Sequence, residues 1–118
     1  MIIIKLPIRP ISVNQLYRVS KSGHIYKIKA AKDWCELAQK FIREQFSDPI
    51  IESNIAITLK ICLTGNKIPD LDNCLKLCID ALQGIVIKND NQIVGMSCYR
   101  KMNCDADQIT ISITDIDY

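Results

Sequence analysis

The chain has 118 residues, of which 48% are apolar, and a formal charge of +2, which is the size of one ordinary domain with a core of its own. No apolar run approaches the ~20 residues that span a bilayer, and the opening MIII meets Lys5 and Pro7 too soon for a signal peptide, so a cytoplasmic chain with no membrane partner is expected. The six cysteines (Cys35, Cys62, Cys74, Cys78, Cys98, Cys104) contain no C-x-x-C and share the chain with a single histidine, His24, so reduced, buried thiols are expected rather than disulfides or a zinc site.

In chain order, Ile2 to Leu6 reads as a strand that Pro7 and Pro10 end. Leu16 to Val19 and Ile25 to Ile28 flank the turn residues Ser22-Gly23, which predicts a hairpin or an extended pair. Basic and aromatic residues interleave there (Tyr17, Arg18, Lys21, Tyr26, Lys27), a pattern that can pack rings on nucleotides and pair cations with phosphates; plain cross-strand packing of the tyrosines is the structural alternative. From Ala30 to about Phe46 the period becomes helical, with Trp34, Leu37, Phe41 and Ile42, and Ala38 beside them, on one amphipathic face. Ser47-Asp48-Pro49 breaks that helix. Asn54 to Thr64 alternates as a half-buried strand, and Ile93 to Lys101 and Gln108 to Thr114 read as two more. The expectation is an α+β fold, a small mixed β-sheet of about four or five strands with two helices in a single domain over residues 1–118.

The modest net charge hides an asymmetry. Residues 1–45 hold nine Lys/Arg against three acids, and the remainder holds six against ten. A basic surface beside an acidic pocket suits a protein that grips a polyanion and holds a divalent cation against it, although a mixed solvated surface is the plainer reading of charge alone.

The most informative stretch is Lys67 to Ile93, KIPDLDNCLKLCIDALQGIVIKNDNQI. Asp70 sits at the N-cap of a predicted helix that Gly84 ends. Leu71, Leu75, Cys78, Ile79 and Leu82 share one face of it, with Cys74 and Ala81 beside them, while Asp72, Lys76 and Asp80 form a polar ridge on the other. The Val86-Ile87 run reads as a returning strand that brings Asp90 back beside Asp70 and Asp72. Taken singly, these residues are a cap, a helix-start acid and a surface ion pair. Together, three carboxylates and a lysine suit Mg²⁺, which takes oxygen ligands, keeps several waters and is completed by phosphate oxygens; metal-bound water is then the nucleophile, and Lys76 stabilises charge on the phosphate or leaving oxygen. Other D-x-D chemistries fit less well, because the residues before Asp70 form no strand and neither acidic stretch continues into a 12-residue calcium loop.

PDLDNCLKLCIDALQGIVIKNDNQI resembles the signature of the RusA-type Holliday junction resolvases, roughly D-x-D-N-x-x-K, then D-A-L, a glycine-ended helix and D-D-x-Q-V. The N-terminal PISVNQLYR, with Gly23 and Tyr26, resembles the family more loosely and adds Asn14 to Tyr17, Arg18, Lys21, Tyr26 and Lys27 as DNA-binding candidates. The resemblance implies metal-binding, catalytic aspartates at Asp70, Asp72 and Asp90 and a catalytic lysine at Lys76. It also implies Mg²⁺ or Mn²⁺ as cofactor, and a homodimer that cuts four-way DNA junctions symmetrically. One departure stands in the motif: Asn89 precedes Asp90 where the family commonly has a second acid, and Gln92 sets that register. The competing reading, from a different class, is a catalytically inactive nucleic-acid-binding module whose acidic cluster is structural.

Overall fold

The computed structural model describes residues 1–11, 17–19, 25–27 and 29–116, and of 17–19 and 25–27 the backbone alone. Its elements are β1 (Ile2–Leu6), β2 (Tyr17–Val19), β3 (Ile25–Lys27), α1 (Lys29–Gln45), β4 (Ile55–Cys62), α2 (Leu71–Leu82), a 3₁₀ turn (Asp90–Gln92), β5 (Ile93–Lys101) and β6 (Gln108–Asp115). Four strands form one sheet in the order β1-β6-β4-β5, and β2 and β3 form a separate antiparallel pair. The large sheet is mixed: β4 and β5 run parallel, and the other neighbours are antiparallel. Parallel neighbours cannot be joined by a hairpin, so α2 is the crossover that carries the chain back from the end of β4 to the start of β5. That connection decides where the acidic residues lie.

The alternation read from the sequence sets which face is buried. Ile55, Ile57, Leu59 and Ile61 on β4, Ile109, Ile111 and Ile113 on β6, and Ile4 and Leu6 on β1 all point into the core, where α1 and α2 cover them. The outward face carries no described helix. Gln45 closes the free edge of β1: its Nε2 donates to the Lys5 carbonyl at 2.7 Å and its Oε1 accepts from the Lys5 N–H at 2.8 Å.

Each helix buries a face turned partly from the expected one, which shares Trp34, Ala38 and Ile42 with it on α1 and Cys74, Cys78, Ala81 and Leu82 on α2. On α1 the buried residues are Ala31, Trp34, Ala38 and Ile42, while Leu37 is 44% exposed and Phe41 only half-buried. On α2 they are Cys74, Leu77, Cys78, Ala81 and Leu82, together with the polar Asn73, whereas Leu71, Leu75 and Ile79 are only partly buried on the flank. The cause is common to both. Alanine and cysteine let α1, α2 and the sheet approach closely, so small residues share the centre with Leu77 and Leu82 while Leu37, Leu71 and Leu75 are displaced to the rim.

The Val86-Ile87 run is not a strand. Gly84 takes φ +87, a left-handed conformation that favours glycine; its N–H bonds the Ile87 carbonyl at 2.8 Å, and the Val86 N–H bonds the Leu82 carbonyl at 3.0 Å. Val86 and Ile87 are fully buried plugs in a helix-ending turn, tied to the preceding loop by the Ile51 N–H on the Val86 carbonyl at 2.8 Å. All six cysteines are free thiols, and among the described residues no helix is long and apolar enough to cross a membrane.

Candidate active site

Asp70 is the N-cap of α2, with extended backbone, and its Oδ1 accepts the Asp72 N–H at 2.9 Å. Both carboxylates are exposed at a helix N-terminus, where the unpaired N–H groups and the helix dipole favour negative charge. Lys76 follows one turn later, exposed, and Asp80 is half-buried a turn beyond it; each of these two has an interaction partner. The ridge read from the sequence is therefore present.

The loop that delivers Asp70 is held from both sides. The Asp107 Oδ1 accepts the Thr64 N–H at 2.9 Å and the Thr64 hydroxyl at 3.1 Å, and Arg9 Nη1 reaches the same oxygen at 3.2 Å. Arg9 also donates to the carbonyls of Thr64 at 3.0 Å and Lys67 at 3.5 Å, while Trp34 Nε1 donates to the Arg9 carbonyl at 2.8 Å. The Thr64 N–H, then the Thr64 hydroxyl and the Arg9 guanidinium, hold the Asp107 carboxyl below the usual carboxylate range against the opposing cost of its burial. Asn73, one residue past Asp72, is 5% exposed and donates through Nδ2 to the Ile11 carbonyl; its Oδ1 has no hydrogen-bond partner among the described residues. Because Ile11 is bonded to Asn73, the chain departs for the basic hairpin from beside the acidic pair.

A cation the sequence reading passed over, Arg100, also lies at this end. Cys98 on β5 is raised by burial, is within electrostatic reach of Arg100, which lowers it, and of Asp72, which raises it. Burial pushes the Cys74 thiol up to about 12, with Cys98 and Asp70 adding to the rise and Arg100 opposing it. Burial likewise raises Cys78, so these thiols stay neutral and behave as small apolar groups, as composition suggests.

Asp90 stands elsewhere. It opens the 3₁₀ turn that precedes β5, beyond the far end of α2, whose 12 residues at 1.5 Å each span about 18 Å. Among the described residues no three His, Cys, Asp or Glu side chains are grouped to hold a metal. The expected reversal beside Asp70 and Asp72 thus does not occur within one chain, since the segment after Gly84 continues a parallel crossover rather than folding back. The turn itself is tightly built. Gln92, 7% exposed, accepts the N–H groups of Lys88 and Asn89 at 2.8 Å each through Oε1, and donates through Nε2 to the carbonyls of Ile51 at 2.7 Å and Ser53 at 2.9 Å. Asn89 caps the turn by accepting the Asn91 N–H at 3.1 Å, a task at which Asn and Asp are equivalent.

Of the DNA-binding candidates, Asn14 and Lys21 lie outside the described residues. Tyr17, Arg18, Tyr26 and Lys27 lie in the β2–β3 pair, with Tyr17 opposite Lys27 and Arg18 opposite Tyr26.

The family model described as endodeoxyribonuclease RusA matches residues 7–114, which takes in the acidic pair, Lys76, the Asp90 turn and most of the sheet. The chain belongs to that family of DNA endonucleases. It is also similar to the crossover junction endodeoxyribonuclease RusA of Aquifex aeolicus (strain VF5), with 29% identity over 105 residues, covering 88% of this chain and 83% of the relative.

Proposed function

We propose that the protein is a metal-dependent, structure-selective endodeoxyribonuclease that resolves four-way DNA junctions as a homodimer, each subunit hydrolysing one of two symmetry-related phosphodiesters. The observation that carries this reading is the exposed Asp70-Asp72 pair at the α2 N-terminus, in a chain matched to the family from its basic N-terminal segment to its last strand. Two exposed carboxylates on a helix start fit Mg²⁺ or Mn²⁺, which takes one or two carboxylates, waters and substrate phosphate. Asp70 and Asp72 would hold the ion, which when bound supplies charge neutralisation and an activated water. Lys76, on the same ridge, is suited to stabilise negative charge on the scissile phosphate or the leaving oxygen.

The placement of Asp90 favours a site shared between two chains. A four-way junction offers two equivalent strands, and an isologous pair presents two equivalent pockets to them. In such a pair Asp90 of one copy can approach Asp70 and Asp72 of the other, which the 12-residue helix prevents within one copy.

The test is cleavage of a labelled four-way junction with and without Mg²⁺ by the parent, by Asp72→Asn, by Asp90→Asn and by an equimolar refolded mixture of the two variants. Each variant alone is expected to be inactive yet to bind the junction. In a shared site every mixed dimer keeps one intact pocket of its two, so with half of the dimers mixed the preparation recovers about one quarter of the parent's pockets, seen as single-strand nicking. A mixture as inactive as its components refutes sharing. A parent that binds the junction but never cuts it, in Mg²⁺ or Mn²⁺, identifies the inactive binding module instead.

A further inference from the structure

The sheet face turned away from α1 and α2 carries a pattern that the catalytic reading does not use. Lys5 on β1 is in register with Thr110 on β6, Thr110 with Lys60 on β4, and Lys60 with Tyr99 on β5. These four outward residues thus form one row across all four strands. With neighbouring strands about 4.8 Å apart, the two lysine positions are about 10 Å from each other. The adjoining row toward the N-terminal end of β4 holds the exposed Ile3 at its β1 end and the hydroxyls of Ser112, Thr58 and Ser97, and on the other side Lys101 lies beyond Tyr99 on the same face.

Three features separate this face from an ordinary solvated surface. Residues 46–118 contain ten acids against six cations, yet the outward positions of β4, β5 and β6 hold Lys60 and Lys101 and no acid. Lys5, Lys60 and Lys101 are exposed and have no salt bridge within the described residues, so their charge is not neutralised inside the chain. Tyr99 is 60% exposed toward the C-terminal end of the β5 edge, in register with Lys60. Lysines in a row, hydroxyl donors next to them and an accessible ring are the groups that hold a nucleic-acid backbone: cations neutralise phosphates, hydroxyls donate to phosphate oxygens, and a ring packs on sugar or base.

We propose that this uncovered sheet face is a second DNA-backbone surface, distinct from the basic hairpin, that takes a duplex arm of the substrate. The proposal rests on the reading of the protein as a branched-DNA enzyme and deepens it. The Lys101 end of the face is also the end of β4 and β5 at which Arg100 and the acidic pair lie. An arm running along the lysine row would therefore leave the junction point beside Asp70 and Asp72.

The experiment measures binding of the parent, of Lys5→Gln/Lys60→Gln/Lys101→Gln and of Tyr99→Ala to a fluorescent four-way junction in EDTA over a range of salt. Sedimentation and melting curves of each protein accompany it. Each lost phosphate contact should lower the magnitude of the salt slope by about 0.9, so the triple variant is expected to lose between two and three units of slope, to bind more than tenfold more weakly near 100 mM salt, and to keep the parent's mass and melting temperature. Tyr99→Ala should weaken binding with an unchanged slope. A triple variant that binds with the parent's affinity and slope overturns the proposal. So does one that sediments as a monomer where the parent is a dimer, because the face would then be a contact between copies. If the parent itself fails to bind the junction, the functional reading falls first; if the parent binds and cuts while both variants match it, the surface alone is wrong.

Discussion

Replacing Gln92 tests how the second acidic element is held in place. Its side chain makes four hydrogen bonds from a position 7% exposed, two to N–H groups of the Asp90 turn and two to carbonyls of the loop before β4. Gln92→Ala removes all four and leaves two donors and two acceptors to find water. At a net 0.5–1.5 kcal/mol for each bond, with Ser53 exposed and Ile51 half-buried so that part of the loss is recovered by hydration, the cost is about 2–4 kcal/mol. For a chain of this length that lowers Tm by roughly 10 °C. Gln92→Glu is the sharper probe. It keeps the oxygen that accepts from Lys88 and Asn89 but turns the donor toward Ile51 and Ser53 into a second acceptor facing two carbonyls. Ionising that carboxyl is opposed by burial and by the carbonyls, so its folded pKa rises above the unfolded value of about 4.3. The penalty is then smallest below the unfolded pKa and grows as pH rises through the folded one. Urea unfolding of the parent and both variants between pH 4 and pH 8 reads this directly. A Gln92→Ala variant within 0.5 kcal/mol of the parent, or a Gln92→Glu variant whose deficit is independent of pH, would show that the clamp is not what fixes the turn.

Two further outcomes follow from the same geometry. Asn89→Asp should leave stability within a few tenths of a kcal/mol of the parent, because either side chain can accept the Asn91 N–H; a large loss in a melting curve would remove Asn89 from the capping role. Asp107→Asn should destabilise the protein at pH 7, and the gap to the parent should close as pH falls below the ordinary carboxyl value of 3.8 and through the lowered folded one, since a depressed pKa contributes stability only while the group is ionised. A gap that stays constant down to acid unfolding would mean that hydrogen-bond geometry, not charge, is what Asp107 contributes.

The strands were legible in the sequence because their signal is local. The isoleucines of β4 and β6 alternate strictly, and each lands in the core where alternation places it. The α2 start was legible for the same reason, Asp70 being a cap followed at once by a helical period. Helix orientation was legible only in part: the pattern placed Ala38, Cys74, Cys78 and Ala81 on or beside the apolar faces, but by weighting large side chains it put Leu37, Leu71 and Leu75 where Ala31 and Leu77 are buried instead. What was not legible depends on distance along the chain. Arg9 and Asp107 are 98 positions apart, and Gln92 reaches backbone carbonyls about 40 residues before it. No local pattern announces such pairs. The available hint for Gln92 was its place three residues after Asn89, the spacing of a capping box, and Gln92 was used only to set the register.

The separation of Asp90 from Asp70 and Asp72 follows from topology rather than from any local preference. A reading of helix, glycine and apolar run as a reversal treats the stretch as a hairpin, in which the far end returns to the start. In a parallel crossover the helix begins at the C-terminal end of one strand and must finish at the N-terminal end of the next, so residues before and after it are set apart by its full length. Shortening α2 enough to unite them would leave β5 out of register with β4. The acid that opens β5 and the pair that opens α2 therefore belong to opposite ends of the same βαβ unit. Two such units related by a twofold axis can place opposite ends together, whereas one unit cannot. If the site is shared in the way proposed, dilution that separates two copies silences cleavage without unfolding either; cleavage and sedimentation followed over one dilution series check this, and activity that persists in the monomer refutes sharing.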